Sequence, residues 1–243
     1  MAEKKNEYNE QEWEERLFEI NGSQNKLKHK SIKPEDNTDE FVSLVIGYFL
    51  GNILFAMIVT KIFLHKDPTK YGSGNPGTAN VGAVFGKKWG ILTCIGDLAK
   101  TLAALLIVYF IYHGNRLDLS FAGLGVVLGH SFPFWNHFKG GKGVAVTALW
   151  IVFFDWRAGL IALLIGLFLV IIMKNLTIPP LVYMLGFSIF TWINFGWEQG
   201  LIFLIATLIM IFQFRKDIVD FFTGKGKRVD VLVTIKKKLG IYK

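Results

Sequence analysis

The five positions from Lys139 to Gly143 read Lys-Gly-Gly-Lys-Gly, two ammonium groups set among glycines. Glycine has no Cβ, so its backbone can bend until successive N–H groups point at one spot, and such a nest binds anions. With Lys139 and Lys142 adding formal charge to the N–H groups of Gly140, Gly141 and Gly143, the natural guest is a phosphate. The run closes a longer stretch that begins at Gly129 and also carries His130, Phe132-Pro133 and His137 between two apolar segments. Upstream lies a second polar loop, Gly72-Ser73-Gly74-Asn75-Pro76-Gly77-Thr78-Ala79-Asn80. Its Ser73, Asn75 and Asn80 offer hydrogen-bond donors and acceptors, although taken alone it also reads as a plain connector.

Two nucleotide-binding patterns are excluded. Gly72 to Gly77 matches the letters G-x-G-x-x-G, but that fingerprint needs a preceding strand, whereas here an apolar span precedes it and Pro76 sits inside it. Gly143 stands where a P-loop requires Ser or Thr for magnesium. Asp97 and Lys100 form a third feature, one turn apart and roughly 12 Å inside an apolar run. That spacing lets them face each other, and a structural ion pair is the preferred reading over direct catalysis. Read alone, His130 and His137 are loop histidines without a carboxylate cluster, so no metal site is expected. The single Cys94 excludes an intramolecular disulfide and a cysteine metal cluster.

The elements that must position these groups are membrane helices. Hydrophobic residues make up 52% of the 243 and aromatics 15%, gathered in runs near spanning length. The expected segments are Phe41–Leu64, Trp89–Tyr112, Leu119–Leu128, Val144–Phe154, Ala158–Met173, Ile178–Phe195 and Leu201–Phe214. This is an all-α, polytopic membrane protein with about seven transmembrane or half-membrane helices, the short ones tilted or broken beside a polar site. A net charge of +8 then marks loops at one membrane face rather than nucleic-acid binding. Lys66, Lys70, Lys87, Lys88, Lys139, Lys142, Lys174 and the C-terminal tail fall on one side; Arg116 and Arg157 fall on the other. The lysine-bearing side is expected to be cytoplasmic. Residues 1–40 are charged and polar, an expected disordered tail with a short helix over Glu10–Ile20. The opening carries no secretory leader pattern, so the first span is expected to direct insertion. Residues 225–243 are a basic tail that suits either solvent or anionic headgroups.

The two loops together resemble the acyl-phosphate:glycerol-3-phosphate acyltransferases of bacterial membranes, the PlsY type. That family's first motif begins Gly-Ser-Gly-Asn-Pro-Gly, as Gly72 to Gly77 do, and continues to an Asn-Val matched by Asn80-Val81. Its second contains Gly-His, Phe-Pro and Phe-Lys-Gly-Gly-Lys-Gly-Val-Ala, matched by Gly129-His130, Phe132-Pro133 and Phe138 to Ala145. The likeness covers 41–224, an expected acyltransferase domain between the two tails. It implies transfer of a fatty acyl group from acyl phosphate to the sn-1 hydroxyl of glycerol 3-phosphate, giving lysophosphatidic acid and phosphate. No cofactor and no metal are implied. The expected partners are the two substrates, membrane lipids and the soluble enzyme that makes acyl phosphate. The expected place is the bacterial inner membrane, with the site facing the cytoplasm.

By this resemblance Ser73, Lys142 and His130 are the catalytic candidates. Asn75, Gly77, Asn80, Lys139, Gly140, Gly141, Gly143, Thr177 and Arg215 are the substrate-binding ones. The chain departs from the family pattern at Ala83, where an Arg is usual, and at Gln213-Phe214 and Asp217, where Arg-His and Asn are usual. Thr177 stands for a Ser, and Thr78-Ala79 reverses an Ala-Thr. Two alternatives stay open: a paralogue with altered or absent catalysis, and a lipid or anion transporter using the same cationic pocket.

Overall fold

The computed structural model describes residues 38–226. The expected tail disorder, the helix over Glu10–Ile20 and the basic tail beyond 226 lie outside the described residues. Contacts divide the chain into Met1–Thr38 and Asp39–Lys243, and the architecture lies in the second unit. Among the described residues the long elements are all helices: α1 (Thr38–Gly51), α2 (Phe55–Leu64), α3 (Thr78–Phe85), α4 (Lys87–Ile111), α5 (Arg116–Ser131), α6 (Val144–Phe154), α7 (Trp156–Met173), α8 (Ile178–Phe195) and α9 (Trp197–Phe222). Among the described residues, five stretches are long and apolar enough to cross a membrane: Thr38–Leu64, Lys87–Ile111, Arg116–Asn136, Trp156–Met173 and Ile178–Phe195.

Three elements differ from the sequence expectation. The first span is broken between Gly51 and Phe55. The glycine-rich first loop contains a helix of its own, α3. The last helix does not stop near Phe214 but runs 26 residues to Phe222, so Asp217 and Ile218 ride on that helix rather than in a separate tail.

α5 is the centre of the bundle, with 72% of its spanning window buried, against 11% for α7, which lies at the periphery. Small residues let α5 reach that position. Gly47 and Gly51 on α1, and Gly125 and Gly129 on α5, are spaced four apart and share a face on each helix. A Cβ on Gly47 would run into the Ala122 carbonyl, and one on Gly125 into the Leu44 carbonyl. Backbone therefore meets backbone, the close approach by which helices associate where water supplies no hydrophobic drive. On the other flank Trp150 of α6 stacks on Phe203 of α9 with ring centroids 4.1 Å apart.

Candidate active site

α5 ends level with the middle of α4: His130 in its last turn meets Lys100. The last carbonyls of α5 need donors there, since no further turn supplies them. The glycine run provides them: Gly141 N–H donates to His130 O at 2.9 Å and Gly140 N–H to Ser131 O at 3.1 Å. Gln213 Nε2 adds a bond to Ser131 O at 2.8 Å, and Tyr48 Oη one to Phe132 O at 3.1 Å. This corrects the expected nest. The N–H groups of Gly140 and Gly141 are committed to a helix end and do not face an anion.

Uncommitted backbone donors lie one step further along the chain. Gly143, at φ +82°, is the N-cap of α6 and has no side chain to close the helix. The first intrahelical bond runs from Thr147 N–H to Gly143 O, so the N–H groups before it stay open at the helix end. That end carries the positive pole of the helix dipole and is a ready anion site. Ser131 Oγ is buried without a hydrogen-bond partner, and a Cβ placed on Gly143 would lie 3.9 Å from it. Sequence reading missed Ser131; its one signal is its place directly after His130.

Lys142 stands beside this helix end with a partner already in place. Its Nζ donates to Asp217 Oδ2 at 2.6 Å and lies 4.8 Å from the centre of the Phe214 ring. Gln213, Phe214 and Asp217 share a face of α9, and all three meet the second loop or the end of α5.

His130 is buried, and its role is set by Lys100. Lys100 Nζ lies 3.1 Å from Asp97 Oδ1, 3.0 Å from Gly51 O, 2.7 Å from Ile53 O and 2.9 Å from His130 Nδ1. Asp97 and Lys100 thus form an ion pair that also closes the broken end of α1. Where the ammonium donates to Nδ1, the ring proton sits on Nε2; Nδ1 also lies 3.6 Å from Asp97 Oδ1. The His130 Nε2 faces Gly141, where any Cβ would strike the ring.

In the first loop, Asn80 is a cross-tie. It is buried; its Nδ2 donates to Pro68 O and Tyr71 O, each at 3.1 Å, and its Oδ1 accepts Ser73 N–H at 2.9 Å. The expected substrate contact by Asn80 gives way to loop assembly, because its amide hydrogens are engaged. Ser73 is left exposed, with its Oγ 3.4 Å from Asn75 N. Gly77 accepts Val81 N–H and opens α3 without a side-chain cap, a second bare helix N-terminus. Asp67 braces the loop entry: its carboxylate accepts Thr69 N–H at 3.0 Å and Thr69 Oγ1 at 2.6 Å. The bond from the Thr69 hydroxyl, ahead of other causes, holds the Asp67 carboxyl below its ordinary range.

The remaining candidates sit apart from these groups. Lys139 is exposed on the second loop. Thr177 is buried at the start of α8, its N–H on Asn175 Oδ1 at 2.7 Å. Arg215 is exposed and turned onto its own helix, donating to Phe212 O at 2.8 Å over the Phe212 ring. Among the described residues no group of three His, Cys, Asp or Glu side chains is placed to hold a metal ion.

A family model described as glycerol-3-phosphate acyltransferase matches residues 41–224. A relative from Lactobacillus acidophilus, glycerol-3-phosphate acyltransferase 1, is 65% identical over 198 residues, covering 81% of this chain and 95% of the relative. The glycerol-3-phosphate acyltransferase of Cupriavidus necator is 36% identical over 188 residues, 75% of this chain and 93% of its own. The fold is also similar to the crystal structure of PlsY (YgiH), an integral membrane glycerol 3-phosphate acyltransferase, in its glycerol 3-phosphate form. The TM-score is 0.72 at 26% identity, covering 81% of this chain and 98% of that one.

Proposed function

The chain belongs to the glycerol-3-phosphate acyltransferase family, and from that premise we propose how it works as an integral membrane enzyme that acylates glycerol 3-phosphate for phospholipid synthesis. Membership of an enzyme family favours catalysis over the transport alternative. The donor is acyl phosphate, supplied by a soluble enzyme, and the acceptor is the sn-1 hydroxyl. The site faces the cytoplasm, where the lysine-bearing loops lie, and residues 41–224 form the catalytic domain.

The observation that carries this reading is the bare N-terminus of α6 with Lys142 beside it and unpartnered Ser131 Oγ behind it. A phosphate seated there receives backbone N–H donors, an ammonium and a hydroxyl. The second bare helix end, at Gly77, suits the phosphate of the other substrate, with Ser73 and Asn75 orienting it. The acceptor oxygen attacks the acyl carbonyl carbon, the bond from that carbon to the phosphate oxygen breaks, and the departing phosphate takes the electron pair and the hydroxyl proton. His130, holding its proton on Nε2, contributes as a hydrogen-bond donor to developing negative charge. Holding both substrates in register supplies much of the remaining rate.

The test is turnover of purified protein with palmitoyl phosphate and labelled glycerol 3-phosphate. The wild type yields labelled lysophosphatidate and Lys142→Ala does not. Undiminished turnover in that variant would remove Lys142 from the reaction.

A further inference from the structure

We propose that Asp217 is a built-in competitor for the phosphate at Lys142, and that it sets how tightly this enzyme holds its phosphate-bearing substrates. The inference rests on the assignment of Lys142 to phosphate made above, and goes beyond it by naming the group that phosphate must displace. The carboxylate oxygen lies 2.6 Å from Nζ, the range of a charge-assisted hydrogen bond. The two side chains are 21% and 36% exposed, so water screens the pair only in part. The Phe214 ring, itself buried, covers another side of the ammonium at 4.8 Å.

The Lys142 ammonium is thus neutralised before any ligand arrives. A phosphate that binds at the start of α6 has to take it from Asp217, and the carboxylate takes it back as product phosphate leaves. Helix geometry makes the exchange short-range. Asp217 lies one turn beyond Gln213, whose amide is fixed on Ser131 O, so the backbone that carries the carboxylate is pinned to the same end of α5 that borders the site. The site chemistry therefore holds two anions in rivalry for one cation, one of them covalently attached. Asparagine would keep the shape and remove the rivalry.

The experiment compares wild type, Asp217→Asn, Asp217→Glu and Lys142→Ala in detergent, with initial rates at varied glycerol 3-phosphate and at varied palmitoyl phosphate. Inorganic phosphate serves as the separate probe, read both as an inhibitor and as a thermal stabiliser of the protein without substrates. Removing a half-screened ion pair should lower KM for at least one substrate by roughly three- to tenfold in D217N. It should lower the phosphate concentration for half-maximal stabilisation by a similar factor. The KM change should exceed any change in kcat, and D217E, which keeps the charge, should stay near wild type. Unchanged or raised KM together with unchanged phosphate stabilisation in D217N would overturn the proposal. If K142A is inactive while D217N behaves as wild type, the competition fails and the phosphate assignment stands. If K142A turns over normally, both fail. Should D217N not fold, D217E and the phosphate titration of wild type at low and high salt still decide: phosphate that stabilises no better than chloride at equal ionic strength sinks the idea.

Discussion

Lys100 and His130, on neighbouring helices and 30 residues apart in sequence, meet at 2.9 Å inside the bundle. The same ammonium holds two carbonyls at the break of the first span and pairs with Asp97. One side chain therefore ties the broken helix, Asp97 and the end of α5 together.

Lys100→Met should be severely destabilising, by about 3–5 kcal/mol, because it strands a buried carboxylate and two helix-end carbonyls. Thermal unfolding in detergent measures it. Asp97→Asn with Lys100→Met should recover part of the loss by removing the orphaned charge. A double variant worse than the single one would argue against an ion pair.

Gly47→Val should prevent the α1–α5 crossing, since its side chain would occupy the space of the Ala122 carbonyl. Little folded protein is expected in size-exclusion profiles. Gly186→Ala, with nothing within 4 Å of the added Cβ, is the control and should be neutral or stabilising by roughly 0.5–1 kcal/mol.

Asn80→Ala removes three hydrogen bonds from the first loop, each worth about 1 kcal/mol net. Faster protease cleavage between Pro68 and Gly77 is expected, along with lost activity. Asn80→Asp should not rescue it, because a carboxylate cannot donate to Pro68 O and Tyr71 O. A fully active, protease-resistant Asn80→Asp would return this residue to a direct substrate role.

Asp67 has a folded pKa below the ordinary 3.8, chiefly through the Thr69 hydroxyl. Its bracing of the loop is therefore complete above that ordinary value and is lost as pH falls through the lower, folded one. Hydrogen exchange at the Thr69 amide, wild type against Asp67→Ala, should differ by a constant factor at neutral pH. The difference should shrink only under acid below about pH 4. A gap that opened on acidification would have the wrong sign.

Much was legible in the chain itself. Apolar run lengths located the spans, since crossing lipid demands about 20 apolar residues whatever they pack against. The Asp97–Lys100 spacing forecast a pair because helix geometry is local. The two loop motifs carried the family, being contiguous strings of residues. What the glycines of the second loop do was not legible. Gly140 and Gly141 give their N–H groups to Ser131 O and His130 O, respectively, because α5 ends inside the bundle. Phe132-Pro133 stops the helix locally, but where that end sits against Lys100 and the start of α6 depends on packing. The bond between Lys142 and Asp217 spans 75 residues. Only the packing of α9 against the end of α5 brings that carboxylate to the lysine, and no local pattern encodes a distance across a folded bundle.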